Sequence, residues 1–164
     1  MEDQLIKWMQ EFVEVPHPAL GNFPPCPYAR QARISNKITF VHGDPRSLIS
    51  IVHNNLYLLD DKDVLIIWFD HTQVDHVVLS SMIQSYNRLL MPDNYVILED
   101  HPDDVEHVNG VKMNFGQCGL LLVQRLEKLN TAADQLRAKG YYDHWDQAAL
   151  EQVVDWRYKH NAIR

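Results

Sequence analysis

Histidine and aspartate recur in this chain in one setting, directly after an apolar run. Ile38-Thr39-Phe40-Val41 is followed by His42-Gly43-Asp44, Val64-Leu65-Ile66-Ile67-Trp68-Phe69 by Asp70-His71, and Tyr95-Val96-Ile97-Leu98 by Glu99-Asp100-His101. Imidazole is the commonest metal-ligating side chain near neutral pH and an efficient proton carrier there. Three of them with one or two carboxylates would suit Zn, or Fe with open positions, and such a metal would activate water or polarise a substrate oxygen. Without metal, the same groups would work as a general base with a carboxylate to orient it. The candidate set is therefore His42, His71 and His101 as metal ligands or acid/base groups, with Asp70 and Asp100 as their carboxylate partners. His76 and His107 follow His71 and His101 at spacings of five and six, neither of them the i, i+4 pair of a zinc-protease helix. A plainer role competes for the aspartates. Asp44 before Pro45, Thr72 with Asp75, and Asp100 or Asp103 ahead of Val105 all stand where a helix start needs an acceptor.

Cys26 offers a different chemistry. Pro27 follows it and a short helix is expected to begin there, which would set the sulfur near unpaired backbone amides, with Arg30 one turn on. Both effects stabilise thiolate and would make Cys26 a nucleophile, a redox group or a soft ligand; a small buried thiol pinned by prolines is the structural alternative. Cys26-Pro27-Tyr28-Ala29-Arg30 resembles the active-site turn of glutaredoxins and omega-type glutathione transferases over about five residues, with Ala29 where a Cys-x-x-Cys pair would have its second cysteine. In those folds the turn directly follows a strand, whereas here Pro16 to Pro25 precedes it.

A broader resemblance is to an uncharacterised bacterial family, a domain of unknown function. There a Trp-bearing helix leads into Leu-Cys-Pro-Phe-Ala, a later strand ends in His-Pro, and an Asn-containing loop precedes a Leu-rich helix. The matching positions here are Trp8, Cys26-Pro27-Tyr28-Ala29, His101-Pro102, Asn114, and the stretch through Leu120, Leu121 and Arg125. Pro25 stands where that family has Leu, and its Arg-Ser-Pro segment has no counterpart before Leu120. The resemblance implies a shared site for Cys26 and His101 and supplies no activity.

The elements that must position these groups follow from periodicity. Leu5, Ile6, Trp8, Met9, Phe12 and Val13 predict an N-terminal helix over residues 3–14, ended by a proline-rich extended segment from Pro16 to Pro27. Asp44-Pro45 opens a helix carrying Leu48, Val52, Leu56 and Leu59, and residues 72–90 predict another with Val74, Val78, Met82 and Leu89 toward the core. Strand, helix, strand, helix, strand over 38–101 predicts a doubly wound unit. If its strands are parallel, the His/Asp ends meet at one edge of the sheet, where α/β proteins bind ligands. Residues 102–119 are expected to form a loop or lid, or a hairpin turning at Asn109-Gly110 that adds antiparallel strands to the sheet. Leu120 to Lys139 and Asp146 to Tyr158 are predicted helices.

The fold class predicted is α/β: one globular domain over 1–164, with a mostly parallel central sheet of three or more strands and helices on both faces. Within it, 1–37 is the N-terminal helix and proline-rich segment, 38–101 the core, and 102–164 the loop or hairpin with C-terminal helices. At 164 residues and 46% hydrophobic content the chain can bury a substantial core without staples. A net charge of -7 and a pI near 5.6 argue against nucleic acid or an anionic membrane as the main partner. Two cysteines make no disulfide framework, and the charged N-terminus lacks the pattern of a signal peptide, so a cytoplasmic location is expected. No Gly-x-Gly-x-x-Gly, Walker loop or Gly-x-Ser-x-Gly elbow is present. The expected function is a small-molecule enzyme, metal-dependent or not, at the strand ends. The alternatives are a thiol-dependent redox protein using Cys26, and an interaction module or homodimer using Tyr141, Tyr142, His144, Trp145, Trp156 and Tyr158.

Overall fold

Runs rich in β-branched and aromatic side chains pack well on a pleated surface, and turn formers at their ends delimit them. The computed structural model describes residues 1–159. In chain order these form α1 (Glu2–Trp8), α2 (Ala29–Ile34), β1 (Ile38–His42), α3 (Leu48–Asn55), β2 (Val64–Phe69), α4 (His76–Leu90) and β3 (Tyr95–Asp100). There follow β4 (His107–Val108), β5 (Val111–Lys112), β6 (Gly119–Arg125), α5 (Leu126–Ala138), α6 (Gln147–Leu150) and α7 (Trp156–Lys159), with short 3-10 and π-helical turns between several of them. The chain makes two compact units. One is Ala32–Val105 with Asn114–Arg125; the other is Met1–Gln31, Glu106–Met113 and the chain from Leu126 onward.

The first unit holds a four-stranded sheet of order β1-β2-β6-β3. β1 and β2 pair in parallel, while β6 runs antiparallel to both β2 and β3. The sheet is therefore mixed, with one parallel ladder, and not mostly parallel as the sequence suggested. The difference arises at Leu120–Arg125. These residues were expected to begin a helix, but Leu120, Leu121 and Val123 are all buried in a strand lying between two others. A short leucine-rich run fits a buried helix and a central strand equally well by periodicity. Because β6 opposes both neighbours, β1, β2 and β3 still point the same way, and their carboxyl ends share one edge.

One face of this sheet packs Leu65, Ile67, Phe69, Ile97, Leu121 and Val123 against Leu48 and Val52 of α3 and Leu79, Ile83 and Leu90 of α4. Each such side chain contributes about 1.5–3 kcal/mol on burial. Gly119 faces Phe69, whose ring leaves no room for a Cβ. Ile66, Val96 and Leu120 on the opposite face are buried as well.

The start of α4 lies later than the sequence suggested. Asp75 is its N-cap, accepting the amides of Val77 (2.8 Å) and Val78 (3.2 Å). The buried stripe is Leu79, Ile83, Asn87 and Leu90; Val74 and Met82 pack at its margin, while Val78 and Leu89 are 60% and 69% exposed. α4 carries two apolar stripes, and the core takes the one with the larger aliphatic side chains. Asn87 belongs to that stripe for a reason the backbone supplies. β3 is an edge strand, and Asn87 Nδ2 donates to the Ile97 carbonyl while its Oδ1 accepts the Ile97 amide, both at 2.8 Å. The side chain takes the place of a neighbouring strand at that position.

In the second unit, α1 buries Leu5 and the following π-helical turn buries Met9. β4 and β5 form a hairpin through Asn109 (φ 46°) and Gly110 (φ 80°), the positive pair that a type I′ turn demands. This hairpin makes a separate two-stranded sheet instead of extending the large one. Val108 and Val111 pack with Leu20 and Ala149, and Asn109 Nδ2 donates to the Ala19 carbonyl at 2.7 Å. α5 buries Leu126, Asn130, Ala133 and Leu136. Asp146 caps α6 through the Ala149 amide. The aromatic residues of this region pack on one another: Tyr141 is 2% exposed, lies 4.9 Å from Tyr142 and 5.7 Å from Trp145 between ring centroids, and donates its hydroxyl to the Pro25 carbonyl.

Candidate functional site

The shared direction of β1, β2 and β3 brings part of the expected histidine set together. The rings of His71 and His101 meet edge to face at 5.6 Å, and His76, one residue into α4, approaches His101 at 6.0 Å. His42 does not join them. Among the described residues its ring contact is with Trp68, at 4.1 Å.

His101 is 3% exposed, and both of its ring nitrogens are occupied by backbone. Nε2 points at two carbonyls, those of Val74 (3.0 Å) and His71 (3.2 Å), and so must carry the proton; Nδ1 accepts the Asp103 amide at 3.1 Å. The imidazole thus fastens residues 71–74 to the end of β3. With its lone pair held by an amide it has no electron pair for a metal, and the expected His42/His71/His101 ligand trio is not what the geometry builds. Among the described residues, no three His, Cys, Asp or Glu side chains are placed to hold a metal ion. His71 Nδ1 is buried with no hydrogen-bond partner among the described residues.

The two aspartates are architectural as well. Asp70 accepts the Thr72 amide (3.0 Å), the Thr72 hydroxyl (2.7 Å) and the Gln73 side-chain amide (2.9 Å). These bonds lower its pKa and close the 3-10 turn His71–Gln73. Asp100 accepts Asn114 Nδ2 at 2.6 Å and the Phe115 amide at 2.9 Å. Asn114, buried, also donates to the Asp104 carbonyl at 2.9 Å and so holds residues 101–104 beside the end of β3. Asp44 caps the turn at Pro45–Ser47 and pairs with Arg46 at 2.7 Å, and these bonds hold its carboxyl down at about 2.

Two groups that the sequence reading did not single out stand out here. Glu99 is half-buried at the end of β3; desolvation raises its pKa, and a hydrogen bond from Ser80 of α4 opposes that rise. No local pattern marks it, because its environment comes from α4. Asn114 had a signal only in its place in the bacterial family pattern. The third omission is a surface. Val77 (63% exposed), Val78 and Leu89 lie on the outer side of α4, whose 15 residues include a single Asp, Glu, Lys or Arg, Arg88.

The thiols are both free. Cys26 is an exposed residue, and its sulfur does meet the amides of Tyr28 and Ala29, which favour thiolate. Crowding of protein around the sulfur outweighs them, and with the Glu14 carboxylate nearby the pKa is raised. The expected activation of Cys26 is therefore opposed by its surroundings. Burial, with the charge of Asp100, pushes Cys118 up to about 11. No helix among the described residues is long and apolar enough to cross a membrane.

Comparison with known proteins returns no match from family models, from curated proteins or from solved structures.

Proposed function

We propose that this protein is a binding module that docks a protein partner through the outer face of α4. The observation that carries this reading is the exposure of Val77, Val78 and Leu89 at 60–69% on a helix with one formal charge, in a chain where 23% of residues are charged. Depletion of charge around exposed apolar side chains is the compositional mark of an interface core, and the outer side of α4 has it. The strand ends support the same reading from the other side, since His101, Asp70 and Asp100 are engaged in holding loops. The test is a photo-crosslinking residue at Ser85, between these side chains, with one at exposed Asp61 as control, in cells expressing the full chain. A discrete adduct at position 85 and none at 61 is expected; equal labelling at both sites would overturn the reading.

A second reading, a small-molecule enzyme at the strand ends, is favoured by one observation, the unpartnered buried Nδ1 of His71 beside His101. In it His71, His76 and the raised carboxyl of Glu99 replace His42, His101 and the aspartates as acid/base groups, or as a partial site for Zn or Fe. Titrating the protein with Zn while following its imidazole NMR signals tests this. Saturable shifts that vanish in His71→Ala support the metal form, and unchanged signals remove that form.

A further inference from the structure

We infer that Asn109 is a self-modification site, where attack by the Gly110 amide turns the carboxamide into a carboxylate and releases the hairpin of β4 and β5 from its seat. Among the asparagines of this chain, Asn109 alone is followed by glycine, which has no side chain to shield its amide nitrogen. Both residues are exposed, and a Cβ placed on Gly110 would meet no atom of the described residues within 4 Å. Water and base therefore reach the peptide group between them. The reaction needs nothing beyond the chain and water. The Gly110 nitrogen gives its proton to solvent base and attacks Asn109 Cγ; the new C–N bond forms, the bond from Cγ to Nδ2 breaks, and the amide nitrogen leaves as ammonia. Water then opens the cyclic imide at either carbonyl carbon. One opening gives aspartate on the original main chain, and the other gives the iso form, whose main chain runs through the side-chain carbons.

The fold restrains this reaction and also makes its outcome matter. Asn109 and Gly110 are held at φ 46° and 80°, and Asn109 Nδ2, the leaving group, is bound to the Ala19 carbonyl at 2.7 Å. Attack therefore waits on a local opening of the hairpin. Such openings are within reach, because β4 and β5 have two residues each and a pair that short is held by what it packs on, here Leu20 and Ala149 beneath Val108 and Val111. After conversion the donor to Ala19 is gone, and a carboxylate oxygen would face the carbonyl oxygen with no proton between them. The iso form lengthens the main chain inside the tight loop that pairs His107 with Lys112 and Val108 with Val111. Either product converts a transient opening into a lasting one. Asn22, Asn36 and Asn94 share the positive φ of Asn109 but precede Phe23, Lys37 and Tyr95, whose side chains shield the attacking amide. They are internal controls.

The test is timed incubation of the purified full chain at mildly alkaline pH, below its melting range, followed by peptide mass mapping and hydrogen exchange. Conversion of carboxamide to carboxylate is expected first at Asn109, with Asn22, Asn36 and Asn94 unchanged over the same interval. It should run more than about tenfold slower than in the urea-unfolded chain, because only a minor open population reacts. The converted fraction, and an Asn109→Asp chain made directly, should exchange faster over residues 106–113 while the ladders of β1, β2, β6 and β3 exchange as in the parent. Asn109→Gly keeps the turn and cannot convert, so its exchange should not change with incubation time. Conversion at Asn109 no faster than at the three controls overturns the inference, as does parent-like exchange over 106–113 in Asn109→Asp. Equal rates in the folded and unfolded chain, or a time-dependent rise in Asn109→Gly, overturn it too.

Discussion

The end of β3 and the outer face of α4 invert the usual relation between residue type and role. At the end of β3 an imidazole, a carboxylate and a carboxamide crowd together, the residue types from which active sites are made, and each is bonded to backbone. On α4 the side chains are chemically inert, and nothing in the described structure covers Val78 or Leu89. The contrast teaches that a reactive residue type suggests chemistry only while its donors and acceptors are free. An inert one suggests binding when it is left in water.

The sharpest way to break this comparison is to remove the polar groups and read stability. Asn87→Ala strands the buried amide and carbonyl of Ile97, each costing about 1–3 kcal/mol, so a loss of about 3 kcal/mol or more is expected in urea denaturation. His101→Ala removes the donor to two carbonyls and the acceptor of one amide and is expected to cost about 2–3 kcal/mol. A change below about 0.5 kcal/mol would return His101 to the pool of functional candidates. Asn114→Ala should cost about 1–2 kcal/mol and raise hydrogen exchange at residues 101–105 and 114–115.

Glu99 gives a pH-dependent test. Burial holds its pKa in the fold above the ordinary value, so the folded chain binds this proton more tightly than the unfolded chain. That contribution is complete below the unfolded value and is lost as pH rises through the folded one. Glu99→Gln is expected to be more stable than the parent at pH 7 and to flatten the dependence of stability on pH above the ordinary Glu value; an unchanged slope would refute the burial argument. The smallest effect on stability belongs to Val78→Asp, expected within about 0.5 kcal/mol because the side chain is already in water. Its consequence should be confined to association.

Local signals carried much of the sheet-bearing unit. The turn formers around β1, β2 and β3, and Asp44-Pro45 ahead of α3, lie within a residue or two of the expected places, because each depends on neighbours in sequence. Asn109-Gly110 located its turn for the same reason, though not the sheet its strands would join. β6 was illegible because a short leucine run becomes a strand only when β2 and β3 stand ready on either side. The phase of α4 failed similarly: the sequence pointed to Val74, Val78, Met82 and Leu89, and only the packed core selects Leu79, Ile83 and Leu90 instead. Of the site, the meeting of His71 with His101 followed from strand direction. The bonds that occupy His101 could not be read, since its two carbonyl partners lie 27 and 30 residues away.

The carboxamide of Asn87 also bears on what the sheet can grow into. An edge strand normally offers a free ladder to any extended peptide, the first step in runaway stacking and fibre formation. At Ile97 that rung is filled by a side chain from the protein's own helix, so an incoming strand would have to displace it. A variant lacking this stopper should therefore be the one that precipitates on storage, even under conditions where most molecules remain folded.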